Sequence, residues 1–313
     1  MLEKDSKIYI AGHKGMVGSA CWRILKSSGY NNLIGKTSNN LDLKNQQNVN
    51  DYIYEEKPDV VINAAARVGG ILANDLNPYE FLLDNMLIQN NLIHASYKND
   101  IKKFIFLGSS CIYPKMAPQP IKEDYLLTSS LEPTNQWYAI AKISGVMLIK
   151  ALRKQYNKDY ISLMPTNLYG PNDNFDLKSS HVLPAMIRKF HEAKIKNNSS
   201  VLLWGTGSPK REFLHVDDLA KAVLFSLENK LDEHLYNVGS GIDITIKELA
   251  SLIQKIIGHS GEISWDTSKP DGTPRKLMSS DKLNSLGWKT SIDLNEGIKN
   301  TYNSYLIKNN YVA

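Results

Sequence analysis

Residues 7–18 read KIYIAGHKGMVG, from Lys7 to Gly18. A short apolar run with two isoleucines passes directly into three glycines at GxxGxxG spacing. Beyond them, Met16, Val17, Ala20, Cys21, Ile24 and Leu25 recur at helical intervals, which predicts a helix over Met16–Lys26. Strand, glycine turn and helix in this order form the head of a βαβ unit. Gly12 permits the tight turn, Gly15 lets a pyrophosphate approach the backbone, and Gly18 lets the helix pack closely. The free N–H groups at the helix start then attract phosphate. No Gly-Lys-Ser/Thr follows, so this is not a Walker loop. The loop residues Gly12, His13, Lys14, Gly15, Met16, Val17 and Gly18 are therefore candidate cofactor contacts.

Working outward, strand-like and helix-like segments alternate. Strands are predicted at Leu33–Ile34, Asp59–Ala66, Lys103–Leu107 and Asp159–Pro165, with long helices at Pro78–Tyr97 and Asn135–Tyr156. Alternation of this kind predicts an α/β fold, a doubly wound parallel sheet of Rossmann type. Ligands then sit beyond the carboxyl ends of the strands. After Gly170-Pro171 the pattern becomes mixed: helices at Pro184–Lys196, Val216–Glu228, Ile246–Ile257 and Asn295–Leu306, strands at Val201–Trp204 and Leu235–Val238. This predicts a smaller α/β substrate-binding domain. The expected division is 1–170 with 214–241 for the cofactor domain, and 171–213 with 242–313 for the substrate domain.

The 313 residues, 42% hydrophobic, suffice for a sizeable core. No apolar run approaches the roughly 18 residues that span a bilayer, and the start MLEKDSKIYI lacks the apolar core of a signal peptide. A cytoplasmic protein without membrane association is expected. The formal charge of +5 is modest and no block of five or six like charges occurs, so nucleic-acid binding is not expected. Cys21 and Cys111 are the only cysteines and have neither CxxC spacing nor paired histidines, which argues against a disulfide framework or a zinc site.

An NAD-selective site calls for an acid about 20 residues after the glycines. Here Gly35-Lys36-Thr37-Ser38 occupies that region, and Lys14 lies within the glycine loop. Two lysines suit a 2′-phosphate, so NADP(H) is the expected cofactor. Asp42 comes late and could contact the adenine edge instead. Tyr138 and Lys142 form a YxxxK pair, which shares one helix face. The ammonium is expected to lower the phenol pKa, making Tyr138 a proton donor to a carbonyl under reduction. Ser109, at the end of the preceding strand in GSSCIYP, could hydrogen-bond the same carbonyl oxygen. Taken alone, Cys111 in that stretch could be filler, metal ligand, redox thiol or catalyst.

Glycine loop, strand-end serine and YxxxK together resemble the extended short-chain dehydrogenases/reductases that act on nucleotide sugars. The stretches AAARVGGI, LGSSCIYP, EPTNQWYAIAK, MPTNLYGPNDNF, SSHVLPA, WGTGSPKREFLHVDD and SKPDGTPRK narrow the likeness. From about Lys7 to Tyr305 the chain resembles the GDP-L-fucose synthase family. Lys14 stands where some members carry arginine. The resemblance implies that Cys111 and His181 exchange the protons of a 3,5-epimerisation, either one serving as base. It implies that Ser109, Tyr138 and Lys142 serve the NADPH-dependent reduction at C4. Leu107, Gly108, Pro165, Thr166, Asn167, Leu168 and His181 are implied contacts to the cofactor, with Lys142 at its ribose. Lys189, Trp204, Arg211 and Asp271 are implied contacts to the GDP-sugar; the Arg211 guanidinium also suits a diphosphate in its own right. Cys21, at a core-facing helix position, is expected to be filler.

Two other readings compete. A nucleotide-sugar 4-epimerase or 4,6-dehydratase on this fold would retain NAD⁺. A silent NADP sensor would need no proton donor, which the intact Ser109, Tyr138 and Lys142 argue against. The resemblance further implies a homodimer in which the two long helices pair with their copies.

Overall fold

A computed structural model describes residues 2–269 and 271–311. The chain enters through β1 (Ile8–Ala11), turns through the glycines into α1 (Met16–Ser27), and runs to β2 (Leu33–Ile34) at the sheet edge. A helix the sequence pattern did not disclose, α2 (Gln46–Glu56), returns it to β3 (Val60–Asn63). The short α3 (Ile71–Leu76) and the long α4 (Pro78–Lys98) lead to β4 (Lys103–Leu107), and α5 (Gln136–Tyr156) leads to β5 (Asp159–Pro165). Later come β6 (Asn167–Tyr169), α6 (Val182–Ile195), β7 (Ser200–Trp204) and β8 (Lys210–His215). Then α7 (Val216–Glu228) and β9 (Leu235–Val238) follow, and after them β10 (Asp243–Thr245), α8 (Ile246–Ile257) and β11 (Glu262–Asp266). The chain closes with β12 (Arg275–Lys276), α9 (Asp281–Ser285) and α10 (Leu294–Lys308).

Six strands form one parallel sheet in the order β2-β1-β3-β4-β5-β9. The chain steps from β1 to β2 and then crosses to the other side of β1, so strand order reverses between β1 and β3. That crevice, at the carboxyl ends, is where such sheets hold ligands. The common dinucleotide-binding order places two strands on the β2 side; here only β2 lies there, because residues 35–45 form turns rather than a further strand. The strands are buried on both faces. Ile8, Ile10, Val60, Ile62, Ile105, Ile161 and Leu163 face α1 and α7, while Tyr9, Val61, Phe104, Phe106 and Tyr160 face α2, α4 and α5. Alternation along each strand sends successive side chains to opposite faces, and with helices on both sides most positions are apolar, the buried exceptions being Asn63, Lys103, Ser162 and Asn237.

A second core lies outside this sheet. It gathers Leu183, Ile187 and Phe190 of α6 with Leu249 and Ile253 of α8 and Ile298 and Tyr305 of α10. Helix α8 is amphipathic and starts in a capping box: Thr245 Oγ1 accepts the Glu248 N–H at 3.1 Å, and Glu248 accepts the Thr245 N–H at 2.9 Å. Two small sheets complete this unit, β7 with β11, and β8 with β6, β10 and β12. Met278, Leu283 and Trp288, late in the chain, pack back into the two cores of the large sheet. The fully buried Glu212 on β8 ties the parts together, accepting N–H groups from Gly241 at 2.7 Å and Met278 at 3.0 Å.

Candidate active site

The glycine loop shows what each glycine is for. Gly12 has φ +79°, and a Cβ there would stand 2.9 Å from the Ala64 carbonyl and the Ala65 backbone. A Cβ on Gly18 would overlap the Gly12 carbonyl oxygen and lie 2.8 Å from His13 Cα, so helix α1 packs on the loop itself. At Gly15 a Cβ would meet only the Gly12 oxygen, at 3.4 Å. Among the described residues no other atom lies within 4 Å of that position. Gly15 is the N-cap of α1, no side chain caps that helix, and its first turn carries no acid. The open backbone and the free N–H groups fit a dinucleotide pyrophosphate.

His13 is wedged at the end of β2. A Cβ on Gly35 would stand 2.5 Å from its ring, and its centroid lies 5.7 Å from that of Trp22. Its buried Nδ1 has no hydrogen-bond partner among the described residues, and burial together with the Lys14 cation pushes its pKa below the usual histidine value, with the Lys36 backbone opposing them. A neutral His13 thus shapes the Gly35–Lys36 turn. Lys14 and Lys36 are exposed and make no ion pair among the described residues. Both remain available to a phosphate. Asp42 caps its own turn by accepting the Lys44 N–H at 3.0 Å.

The second cluster forms at the carboxyl end of β4. Ser109 accepts the Cys111 N–H at 3.2 Å and starts the single helical turn Ser110–Ile112. Tyr138, in the first turn of α5, lies beside Ser109 and Cys111 and packs edge-on against Phe81. Lys142, one turn further, is 2% exposed and donates to the Leu107 carbonyl at 3.0 Å, its ammonium 4.8 Å from the Phe106 ring centre. Burial, and then the neighbouring Cys111, push the Tyr138 phenol above its ordinary pKa, with Ser109 opposing them. Burial pushes Lys142 down to about 7. The expectation that Lys142 lowers the Tyr138 pKa is therefore corrected. The ammonium stands 5.8 Å from the tyrosine ring centre and is spent on a backbone carbonyl, and burial penalises both charged forms. Tyr138 retains its proton at neutral pH.

Two groups around Cys111 were not anticipated. The Asn135 amide donates to Sγ at 3.2 Å, and the Lys276 ammonium lies 3.9 Å from Sγ. Both residues stand in quoted stretches, but 24 and 165 positions from the cysteine, so only the fold reveals the contact. Cys21, by contrast, is fully buried in α1, and burial pushes its thiol up to about 12.

His181 is the N-cap of α6 and is exposed at its edge. Its loop is pinned by Asp176, which accepts the N–H groups of Lys178 and Ser179, and by the Gly70 N–H donated to the Ser179 carbonyl at 3.0 Å. Crowding by surrounding protein lowers its pKa below the usual histidine value. Among the described residues no hydrogen bond joins it to the Ser109–Tyr138 cluster. Pro165 ends β5; Thr166 and Asn167 both donate to the Glu212 carbonyl, Asn167 at 2.8 Å. Leu107 ends β4 and Gly108 follows it, and Leu168 lies in β6.

The four residues expected at the sugar nucleotide do converge. Lys189 donates to the Leu202 carbonyl at 2.9 Å, with its ammonium 6.0 Å from the Trp204 ring centre. Trp204 is 54% exposed, which no core role explains. The Asp271 carboxylate accepts from Thr206 N–H and Oγ1, both at 2.8 Å, and its carbonyl accepts from Arg211 at 3.3 Å. Arg211 in β8 is in register with Lys276 in β12, which links this group to Cys111.

Comparison with known proteins places these features in a family. Residues 8–239 match the NAD dependent epimerase/dehydratase family. The chain is 55% identical to GDP-L-fucose synthase 1 of Arabidopsis thaliana, covering 98% of this chain and 95% of that protein. It is 49% identical to the GDP-L-fucose synthase of Escherichia coli (strain K12), covering 96% of each. Among solved structures it is similar to a GDP-mannoheptose C4 reductase from Campylobacter jejuni with NADP bound. The TM-score is 0.89 at 40% identity, over 97% of this chain and 99% of that one. With its glycine loop, strand-end serine and YxxxK pair at one sheet edge, the chain belongs to the NAD dependent epimerase/dehydratase family, in its GDP-L-fucose synthase branch.

Proposed function

We propose that this chain converts GDP-4-keto-6-deoxy-D-mannose into GDP-L-fucose by 3,5-epimerisation followed by NADPH-dependent reduction at C4. The observation that carries the reading is the meeting of Ser109, Cys111 and Tyr138 at the end of β4, with Lys142 buried beneath. The relatives named GDP-L-fucose synthase support the substrate.

Gly12–Gly18 would hold the NADPH pyrophosphate, Lys14 and Lys36 its 2′-phosphate, and Lys142 its nicotinamide ribose. Leu107, Gly108 and Pro165–Leu168 would line the nicotinamide end, with His181 at its margin. NADPH bound there supplies the hydride for C4. The 4-keto group acidifies the protons at C3 and C5. Inversion needs a base on one face and an acid on the other; Cys111 and His181 would remove and return those protons, since thiols and imidazoles as classes exchange protons near neutrality. The electron pair released from each C–H bond moves onto O4, where the Ser109 and Tyr138 hydroxyls hold the developing charge. In the reduction Tyr138, which keeps its proton at neutral pH, gives it to O4. Both stages thus use one oxygen and one pocket. Arg211 would pair with the diphosphate, while Lys189, Trp204 and Asp271 frame the remainder of the nucleotide. The larger unit, 1–170 with 214–241, would hold the cofactor, and 171–213 with 242–313 the sugar nucleotide.

The chain is proposed to act as a cytoplasmic homodimer. No helix among the described residues is long and apolar enough to cross a membrane. Trp137, Ile140 and Met147 stand exposed along α5, beside the α4 with which that helix packs, and offer an apolar face to a second copy.

The test is NADPH oxidation with GDP-4-keto-6-deoxy-D-mannose, wild type beside Tyr138→Phe. Unchanged turnover in the variant would sink the assignment. A second reading, C4 reduction without epimerisation, is favoured by the name of the Campylobacter jejuni neighbour. It predicts NADPH oxidation with no solvent hydrogen entering C3 or C5.

A further inference from the structure

The segment from Asp271 to Lys276 is held from two directions. From β8, the Lys210 N–H donates to the Pro274 carbonyl at 2.9 Å, and the Arg211 guanidinium donates to the Asp271 carbonyl at 3.3 Å. From the stretch between β4 and α5, the Gln119 amide donates to the Arg275 carbonyl at 3.3 Å. A second tie from that stretch is Glu132, at the entry to α5. Its side chain is 14% exposed and gathers three donors: Lys115 Nζ at 3.0 Å, Thr273 Oγ1 at 3.3 Å and Thr134 Oγ1 at 3.4 Å. A carboxylate so shut away needs such partners. Thr273 is itself buried, and stands 141 positions from Glu132 in the chain. It lies between Asp271 and Pro274, the residues that engage Arg211 and Lys210. Whatever holds its side chain therefore also sets where the guanidinium lies. Arg211 donates to two carbonyls, of Lys210 at 2.8 Å and of Asp271, which steer it without neutralising it. Burial disfavours the Arg211 charge, and the Asp271 and Glu132 carboxylates oppose that effect.

Resting on the reading that Arg211 holds the diphosphate of the GDP-sugar, we propose that Glu132 is the positioning residue for that grip. By holding Thr273, Glu132 fixes the Asp271–Lys276 segment against the entry to α5 and so sets where the guanidinium meets the diphosphate. Bidentate contact to phosphate demands a defined guanidinium plane, and a loosened segment forfeits it. Glu132 acts through Thr273 and Asp271, not by touching the substrate. The same clasp joins the diphosphate site to the helix that carries Tyr138, six residues further along the chain.

The experiment measures GDP affinity by titration calorimetry, beside KM and kcat for GDP-4-keto-6-deoxy-D-mannose. Wild type, Thr273→Val, Thr273→Ser and Glu132→Ala are compared, with NADPH titration reporting that each is folded. Thr273→Val removes the hydroxyl, keeps nearly the same shape and leaves Glu132 paired with Lys115. It should weaken GDP binding and raise KM by roughly tenfold each, with kcat and NADPH affinity held within about twofold. Thr273→Ser keeps the hydroxyl and should stay near wild type, and Glu132→Ala should match Thr273→Val. Arg211→Met supplies the background that separates positioning from general loosening. There Thr273→Val should weaken GDP binding by less than about twofold, because the grip it positions is already gone. GDP affinity unchanged in Thr273→Val overturns the proposal, even if Glu132→Ala does not fold. A loss that persists undiminished in the Arg211→Met background also overturns it. A wild type that binds no GDP overturns the reading of Arg211 and the proposal with it. Wild type that binds GDP but does not turn over the sugar overturns only the assigned reaction, and the GDP titrations still decide what Glu132 does.

Discussion

Gly15→Ala and Gly18→Ala are the same chemical change three residues apart, yet they should do opposite things. At Gly18 the new methyl overlaps the Gly12 carbonyl oxygen, with Gly12 C at 2.6 Å and His13 Cα at 2.8 Å. All three are backbone atoms that cannot swing aside. Overpacking of this kind costs about 1–3 kcal/mol. At roughly 3 °C per kcal/mol, Tm should fall about 3–9 °C. At Gly15 φ is −73° and ψ 172°, ordinary for alanine, and the methyl meets only one oxygen at 3.4 Å. Alanine is a poorer N-cap than glycine, but it also lowers the entropy of the unfolded chain by an amount worth about 0.4–1 kcal/mol. The two nearly cancel, so Tm should hold within about 2 °C. The methyl does, however, occupy the open space above α1. Displacing one hydrogen bond to a charged phosphate forfeits about 1.5–3 kcal/mol, so NADPH affinity should fall roughly ten- to a hundredfold. Thermal melts and NADPH fluorescence titrations of the two variants settle it. Wild-type affinity in Gly15→Ala, or a Tm loss there as large as in Gly18→Ala, would refute the assignment of that space to a pyrophosphate.

Four further outcomes are expected. Tyr138→Phe should reduce C4 reduction by roughly 10²–10⁴ in kcat while leaving NADPH affinity near wild type, measured by single-turnover absorbance. Arg211→Lys should raise KM for the GDP-sugar about tenfold with little change in NADPH affinity, because a point cation cannot grip a diphosphate bidentately. Glu212→Ala strands the buried Met278 N–H, while the exposed Gly241 N–H can turn to water, and should cost about 1–3 kcal/mol by chemical denaturation. Burial lowers Lys142 to about 7 from 10.5, so between these values the unfolded chain binds the extra proton. Stability without added NADPH should therefore rise with pH across that window, and this rise should be missing in Lys142→Met, as denaturant midpoints at pH 7 and 9.5 would show.

Much of the fold was legible because its strands are buried on both faces and read as continuous apolar runs. The strands Lys103–Leu107, Asp159–Pro165 and Leu235–Val238, and the helices Val216–Glu228 and Ile246–Ile257, stand where the pattern put them. Asp59–Ala66 was too long: the strand ends at Asn63, where the chain bends under the glycine loop. Helix α2 was missed because its apolar face is short: QQNVNDYIYEE buries only Val49, Tyr52 and Ile53, and polar residues fill most of the rest. The small sheet of β6, β8, β10 and β12 was missed for a different reason. Its strands have two to six residues and pair across tens of positions, which no local pattern records. The site divides the same way. The glycine loop and YxxxK are local and were read directly. Asn135 and Lys276 reach Cys111 only through the fold, and the raised Tyr138 pKa follows from burial that a sequence does not display.

The most direct test of the bifunctional reading is the reaction of GDP-4-keto-6-deoxy-D-mannose with NADPH in deuterated water, wild type beside Cys111→Ser. Wild type is expected to oxidise NADPH and release GDP-L-fucose with deuterium at C3 and C5. The variant is expected to bind NADPH and form no epimerised product. NADPH left untouched, or a reduced sugar without deuterium at those carbons, would contradict it.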